Sequence, residues 1–262
     1  MIDERLDALD GLVCDMDGVV YRGPEPIEGV AEGIARWRGR GKRLVFCTNN
    51  SHFTVPEYVS KLAAVGIPAD EGDVVSSGAV LTEVLRERRA EGKKAMAVGA
   101  QGLRSGLEAA GVTIDDGDSV EGLDFVVVGW DGEFDYRKMK RACLAVRAGA
   151  SLLATNSDAT FPAPDGLWPG AGSILASIEV SSGVRAEVLG KPHAPMMEAA
   201  ARRLEGCTRI GIAGDRADTD LAGGLSRGWT TILVTSGVTT PEEAEQIEPR
   251  PDVILPSLAS LP

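Results

Sequence analysis

Short apolar runs, each stopped by a polar cluster, alternate along this chain with segments of helical spacing, and that alternation constrains the fold more than any other feature. The first run, Gly11-Leu12-Val13-Cys14, is too short for a helix and suits a buried strand; it stops on Asp15-Met16-Asp17-Gly18. Residues 28–40 then carry Val30, Ile34 and Trp37 at helical spacing before Gly41, and residues 43–47 read as the next strand. Strand, helix and strand in that order make a right-handed parallel crossover. The expected fold class is therefore α/β, with a doubly wound parallel sheet.

The alternation continues. After residues 74–78 a helix is expected over 79–90, then strands over 94–99, 124–129 and 151–155, with helices at 104–110 and 136–148 between them. This middle section reads as a small α/β domain of its own, roughly a hundred residues long. The Pro- and Gly-rich residues 161–172 read as a surface loop that binds something, or as a plain connector. Strand character resumes at 186–189, 208–213, 230–234 and about Val253 and Ile254, with a helix near 196–204. A helix beginning near Asp220 is expected to break at Gly223-Gly224 and Gly228.

Open α/β sheets bind ligands at the carboxyl ends of their strands, and the polar clusters fall there. In an extended strand end, Asp15 and Asp17 share a side and repel each other, and a divalent cation is the simplest group that stabilises both. Taken alone, Asp-x-Asp-Gly is also a turn sequence. Thr48-Asn49-Asn50-Ser51 could hold an oxyanion or be a strand-to-helix turn, and Lys191, between Gly190 and Pro192, is held on stiff backbone. Asp215, Asp218 and Asp220 arrive after another strand. A parallel sheet gathers such ends on one edge, so Asp15/Asp17, Thr48/Asn49, Lys191 and Asp215/Asp220 can converge. The chemistry such a set supports is phosphoryl transfer. Asp15 attacks phosphorus, Asp17 moves protons, Asp15 and Asp215 hold Mg²⁺, and Thr48 and Lys191 bind the phosphoryl oxygens.

Composition narrows the partners. The 262 residues are 44% hydrophobic, enough for a core, and carry a net charge of −12 with no basic tract. That balance argues against nucleic acid or an anionic membrane as partner. Anion capture must come from local groups: a metal, a lysine and backbone N–H groups. Cys14, Cys47, Cys143 and Cys207 include no C-x-x-C pair and read as reduced core thiols of a cytoplasmic protein. Met1-Ile2-Asp3-Glu4-Arg5 lacks the basic start of a signal peptide, and no apolar run reaches membrane-spanning length.

In their order, Asp15-Met16-Asp17-Gly18-Val19, the strand-end Thr48, Gly190-Lys191-Pro192 and Gly214-Asp215 with Asp220 resemble the four motifs of the haloacid dehalogenase-like superfamily. With Thr48-Asn49-Asn50-Ser51 and Ala154-Thr155-Asn156-Ser157-Asp158, the chain is similar to its NagD-type, p-nitrophenyl-phosphatase-like branch. The resemblance implies a Rossmann-like core of residues 1–78 and 182–262 with an inserted α/β cap, residues 79–181, that closes over the strand ends and selects the leaving group. It implies a Mg²⁺-dependent phosphatase of small phosphomonoesters such as sugar, glycerol, glycolate, nucleotide or pyridoxal phosphates. Asp17 marks a phosphatase, since the dehalogenases of this superfamily lack the second aspartate. By the same resemblance the main-chain carbonyl of Asp17 joins Asp15 and Asp215 on the metal, and Thr48, Asn49, Asn50 and Lys191 meet the substrate. Gly18, Gly214 and Asp220 support the site, and Asp218 is a helix-start residue. Phe161, Trp168 and Pro169 suggest a specificity loop to which no substrate contact is assigned. Homodimerisation through the cap is a further expectation.

Two other readings stand beside this one. Receiver-type switch domains also place an aspartate, Mg²⁺, a hydroxyl residue and a lysine on a doubly wound sheet, but need neither Asp17 nor an inserted domain. A phosphate-binding or regulatory protein of the same superfamily would have a degenerate site, whereas all four motifs here are chemically complete.

Overall fold

In the computed structural model, which describes residues 4–163 and 166–262, the alternation of strands and helices becomes two parallel sheets. In chain order the principal elements are β1 (Gly11–Cys14), α1 (Val30–Gly39), β2 (Arg43–Thr48), α2 (Val55–Ala64), β3 (Val74–Ser76), α3 (Ser77–Glu87), β4 (Lys94–Val98), α4 (Gln101–Ala109), β5 (Thr113–Ile114), β6 (Phe125–Val128) and α5 (Tyr136–Arg147). They continue through β7 (Ser151–Ala154), β8 (Thr160–Ala163), β9 (Gly166–Pro169), α6 (Ala171–Ser182), β10 (Glu187–Val188), α7 (Ala194–Arg203), β11 (Ile210–Gly214), α8 (Ala222–Arg227), β12 (Thr230–Val234) and β13 (Val253–Leu255). One unit of the chain comprises Met1–Thr48, Pro56–Val75 and Lys191–Pro262, and the other Asn49–Val55 and Ser76–Gly190.

The first unit is built on a six-stranded sheet of order β13-β12-β11-β1-β2-β3. Every residue of β1 is buried, as an apolar run without alternation requires of a strand covered on both faces. It pairs in parallel with β11 and β2, placing Cys14 opposite both Ala213 and Phe46. From β1 the chain winds outward to β2 and β3; it later returns at β11 and winds the other way to β12 and β13. The reversal lies between β1 and β11, where doubly wound sheets open a crevice for ligands. α1 buries Val30, Ile34 and Trp37 as its spacing predicts, and the Trp37 indole N–H donates to the Arg43 carbonyl at 3.0 Å.

The second unit has its own five-stranded sheet, order β10-β7-β6-β4-β5, with all four pairings parallel. Its core takes Val98, Val126, Val128, Leu152 and Ala154 from the strands, packed against Ala142 and Ala145 of α5 and Leu175 and Ile178 of α6. Val126 and Val128 share a face by the two-residue strand period.

The structure differs from the sequence expectation in several places. The strand before Lys191, expected at 186–189 as part of the same sheet as the strand before Asp15, is β10 at the edge of the second sheet, paired with β7, and the short β5 has no counterpart in the expectation. Residues 161–172 are not all loop: β8 and β9 form an antiparallel pair with Phe161 opposite Trp168. A two-stranded ribbon has only edges, where proline is tolerated. Pro164 and Asp165 of that stretch, like Met1–Asp3 of the N-terminal segment, lie outside the described residues. The helix α6 is absent from the sequence expectation; it buries Ile174, Leu175 and Ile178 and ends on Gly183 at φ +79°. Nor do Gly223 and Gly224 break α8. A Cβ on Gly224 would stand 2.3 Å from the Ile212 side chain and one on Gly223 2.8 Å from the Met197 sulfur, so the missing side chains let the helix lie close on β11 and α7. Gly228, at φ +67°, ends it.

The four cysteines are free, Cys14 and Cys47 being buried. Among the described residues, no helix is long and apolar enough to cross a membrane.

Candidate active site

Asp15 leaves β1 still attached to its neighbour: its N–H donates to the Ala213 carbonyl at 2.9 Å, so the β1–β11 ladder runs one residue past the strand. Asp215 is the first residue beyond β11. Lys191 closes the group. Its Nζ donates to Asp15 Oδ1 at 2.6 Å, to Asp220 Oδ1 at 2.7 Å and to the Cys47 carbonyl at 2.9 Å. One carboxylate oxygen each of Asp15, Asp215 and Asp220 lie within 4.8 Å of one another, and all three residues are buried.

Burial and crowding decide the charge state. Loss of water raises the Asp15 carboxyl above its ordinary range, against the pull of Lys191. Burial, then the charges of Asp15 and Asp220, push Asp215 up to about 8. Burial also lifts Asp220 to about 6 despite Lys191. Burial by itself would lower the Lys191 ammonium, yet Asp15 and Asp220 hold it well above the usual lysine range. Were all three carboxylates ionised around the one buried ammonium, the excess would be two negative charges, which a divalent cation would balance.

The backbone around Asp215 fits such an ion. A Cβ on Gly18, which sits at φ +83°, would fall 2.2 Å from Asp215 Oδ2, and one on Gly237 would fall 1.9 Å from it. A Cβ on Gly214 would lie 2.0 Å from Asp220 Cγ. Only residues without side chains leave these carboxylates their places. The segment after β12 fixes Asp215 further: Val238 N–H donates to Asp215 Oδ2 at 2.7 Å, the Thr239 hydroxyl to the Asp215 carbonyl at 2.6 Å, and the Ser236 hydroxyl to the Gly18 carbonyl at 2.8 Å. The result is an all-oxygen donor set, which suits Mg²⁺.

Asp17 stands apart from this trio. Its side chain is 39% exposed, and its Oδ1 lies 3.7 Å from Lys61 Nζ on α2. Burial draws the Lys61 ammonium below the ordinary lysine value, opposed by Asp17. Thr48 is buried at the end of β2, next to β1. Asn49 and Asn50 belong to the second unit. There the Asn49 side-chain amide donates to Asp158 Oδ1 at 3.1 Å, and the Asn49 main-chain carbonyl accepts from Ser77 Oγ at 2.6 Å and Asn156 Nδ2 at 2.8 Å. Asn50 Oδ1 accepts from His52 N–H at 2.9 Å. Asp218 is held by Arg216 in an exposed pair. The structure therefore brings together Asp15, Lys191, Asp215 and Asp220 with Gly18 and Gly214, and gives the Asp17 carboxylate to Lys61.

Two contributors escape the sequence reading. Lys61 follows Tyr58 by three residues and precedes Leu62, so it borders the apolar stripe of α2, where a lysine needs a partner. Ser236-Gly237-Val238-Thr239 follows the strand at 230–234 and is one more polar cluster at a strand end.

Comparison with known proteins places the chain in a family. The pattern of the family described as "Haloacid dehalogenase-like hydrolase" matches residues 12–113, and that described as HAD-hydrolase-like matches residues 188–261. The 5'-nucleotidase YutF of Bacillus subtilis is 34% identical over 249 residues, 95% of each chain. The crystal structure of 4-nitrophenylphosphatase from Thermotoga maritima superposes with a TM-score of 0.89 at 34% identity, covering 98% of this chain and 97% of that one. Glycerol phosphate phosphatase of Mycobacterium tuberculosis, solved in complex with magnesium, gives 0.88 at 31% identity, covering 100% of this chain and 78% of that one. The chain belongs to the haloacid dehalogenase-like hydrolases, in their NagD-type, p-nitrophenylphosphatase-like branch.

Proposed function

We propose that this phosphoric monoester hydrolase cleaves small phosphomonoesters through an aspartyl-phosphate formed on Asp15, with Mg²⁺ as cofactor. The observation that carries the reading is the buried Asp15 at the end of the central strand, 2.6 Å from the Lys191 ammonium and beside the carboxylates of Asp215 and Asp220.

In the first step an Asp15 oxygen bonds to phosphorus as the ester P–O bond breaks, and Asp17 gives its proton to the leaving oxygen. In the second, water attacks phosphorus and passes a proton to Asp17, the bond from phosphorus to Asp15 breaks, and inorganic phosphate leaves with Asp15 a carboxylate again. Lys191, fixed by Asp220 and the Cys47 carbonyl, and Thr48 bind the phosphoryl oxygens. Asn49 and Asn50 are assigned to substrate by family resemblance. Asp15, Asp215 and the main-chain carbonyl of Asp17 would hold the Mg²⁺. When bound, the ion offsets the charge of the nucleophile and the phosphoryl oxygens.

The residues at 79–181 act, in this reading, as a cap on the core of 1–78 and 182–262, excluding water and selecting the leaving group. The named relatives act on 5'-nucleotides, nitrophenyl phosphate and glycerol phosphate, and what these share is a small phosphomonoester. A small-molecule substrate, no nucleic-acid or membrane partner, a cytoplasmic location and a homodimer complete the proposal.

Hydrolysis of 4-nitrophenyl phosphate tests it. Turnover should require Mg²⁺, stop with EDTA and be abolished in Asp15→Asn; retained activity in either case would sink the mechanism. Stoichiometric phosphorylation of the chain without turnover would instead favour a phosphorylated switch.

A further inference from the structure

Lys61 is not placed as a solvated surface lysine would be. Its Nζ stands 3.6 Å from the centroid of the Tyr21 ring and 3.7 Å from Asp17 Oδ1. Tyr21 is fully buried, and its backbone is bridged to that of Asp17, with Gly18 N–H donating to the Tyr21 carbonyl at 2.8 Å. The turn that carries the Asp17 carboxylate therefore also carries the aromatic face on which the ammonium sits. A cation on that face is attracted by the ring quadrupole, so the ring fixes where the charge can be.

We propose that Lys61 is the positioning residue of Asp17: seated on Tyr21, it holds the Asp17 carboxyl group ready to give its proton to the leaving oxygen and stabilises the carboxylate formed as that proton leaves. This rests on the assignment of Asp17 as proton donor to the leaving oxygen. At 3.7 Å the attraction is between charges rather than through a short hydrogen bond, so it steers the carboxylate without locking one geometry. The bond changes are those of the first step above; Lys61 exchanges no proton.

The test is a series of aryl phosphates of graded leaving-group acidity, from 4-nitrophenyl to phenyl phosphate, assayed as kcat/KM with saturating Mg²⁺. An acidic leaving group needs little proton help, and a basic one needs much. Lys61→Met should lose roughly tenfold with phenyl phosphate and far less with 4-nitrophenyl phosphate, and Lys61→Arg should restore most of the loss. A merely structural role lowers both esters alike and would overturn the proposal, as would a Lys61→Met enzyme with wild-type values on both. Asp17→Asn separates the two failures. If it steepens the dependence on leaving group while Lys61→Met does not, the positioning role alone falls; if it also lowers both esters equally, the assignment of Asp17 falls and the role of Lys61 with it.

Discussion

Lys191 Nζ and Asp15 Oδ1 meet at 2.6 Å with both side chains withdrawn from water, and the same ammonium reaches Asp220. Removing the lysine would leave two buried carboxylates without their cation. Lys191→Met should abolish turnover and cost about 3–5 kcal/mol, the usual penalty for breaking a buried ion pair. Urea unfolding of the metal-free protein at pH 7 would measure it. The loss should shrink at pH 5, where the stranded carboxyls take up protons.

The metal-free protein should become less stable as pH rises. Asp215 titrates at about 8 and Asp220 at about 6 in the folded chain, against 3.8 unperturbed. Between about pH 4 and 8 the folded state therefore binds more protons than the unfolded one. The stability these groups contribute is full below pH 4 and is lost as pH climbs to 8. In the proposed site Mg²⁺ would bind the ionised carboxylates, so its stabilising effect should grow over the same interval. Unfolding midpoints at pH 5 and pH 8, in EDTA and in Mg²⁺, check both statements, and a flat metal-free profile would contradict them.

Gly237 has an ordinary backbone conformation and no room for a Cβ, which would stand 1.9 Å from Asp215 Oδ2. Gly237→Ala should displace that carboxylate and raise the Mg²⁺ concentration for half-maximal activity by roughly 10- to 100-fold, the scale found when the support of a metal ligand is disturbed. Gly23 is the control. It sits at φ +58°, and a Cβ there would meet nothing within 4 Å, so Gly23→Ala should cost only about 1 kcal/mol of stability and leave the metal titration unchanged.

Thr239 donates its hydroxyl to the Asp215 carbonyl at 2.6 Å, and its own N–H reaches the same oxygen at 3.3 Å. Thr239→Val keeps the shape and the second bond. The expected cost is about 1 kcal/mol by thermal or urea unfolding, with kcat close to wild type.

The fold is legible in the sequence where one physical rule acts alone. Gly11–Cys14 has to be a buried strand because it is apolar without alternation, and Asp15, Thr48 and Asp215 can be read as strand-end groups of one sheet edge; Lys191 follows a strand of the other sheet, so its place beside Asp15 is not read from the strand pattern. Reading fails where tertiary packing overrides local preference. Gly223 and Gly224 look like helix breakers, yet their missing side chains are what the contact with Met197 and Ile212 needs. Phe161 and Trp168 sit among prolines and glycines that suggest a loop, and their pairing across the ribbon leaves no alternating pattern in the sequence. Lys61 borders an apolar stripe, but its partner is not legible, because a charged residue on a helix is ordinarily solvated and the Tyr21 ring that receives it lies 40 positions earlier in the chain.

The pairing of β1 with β11 also sets an order of events during synthesis. Asp15 precedes its partners in the chain: its lysine lies 176 residues further on and the strand that flanks it ends at Gly214. A nascent chain that has delivered β1, β2 and the whole second unit still displays Asp15 beside an open sheet edge, with neither Lys191 nor Asp215 beside it. Non-local pairings of this kind form late. The four side chains of the site thus come together only once β11 has closed the sheet beside β1.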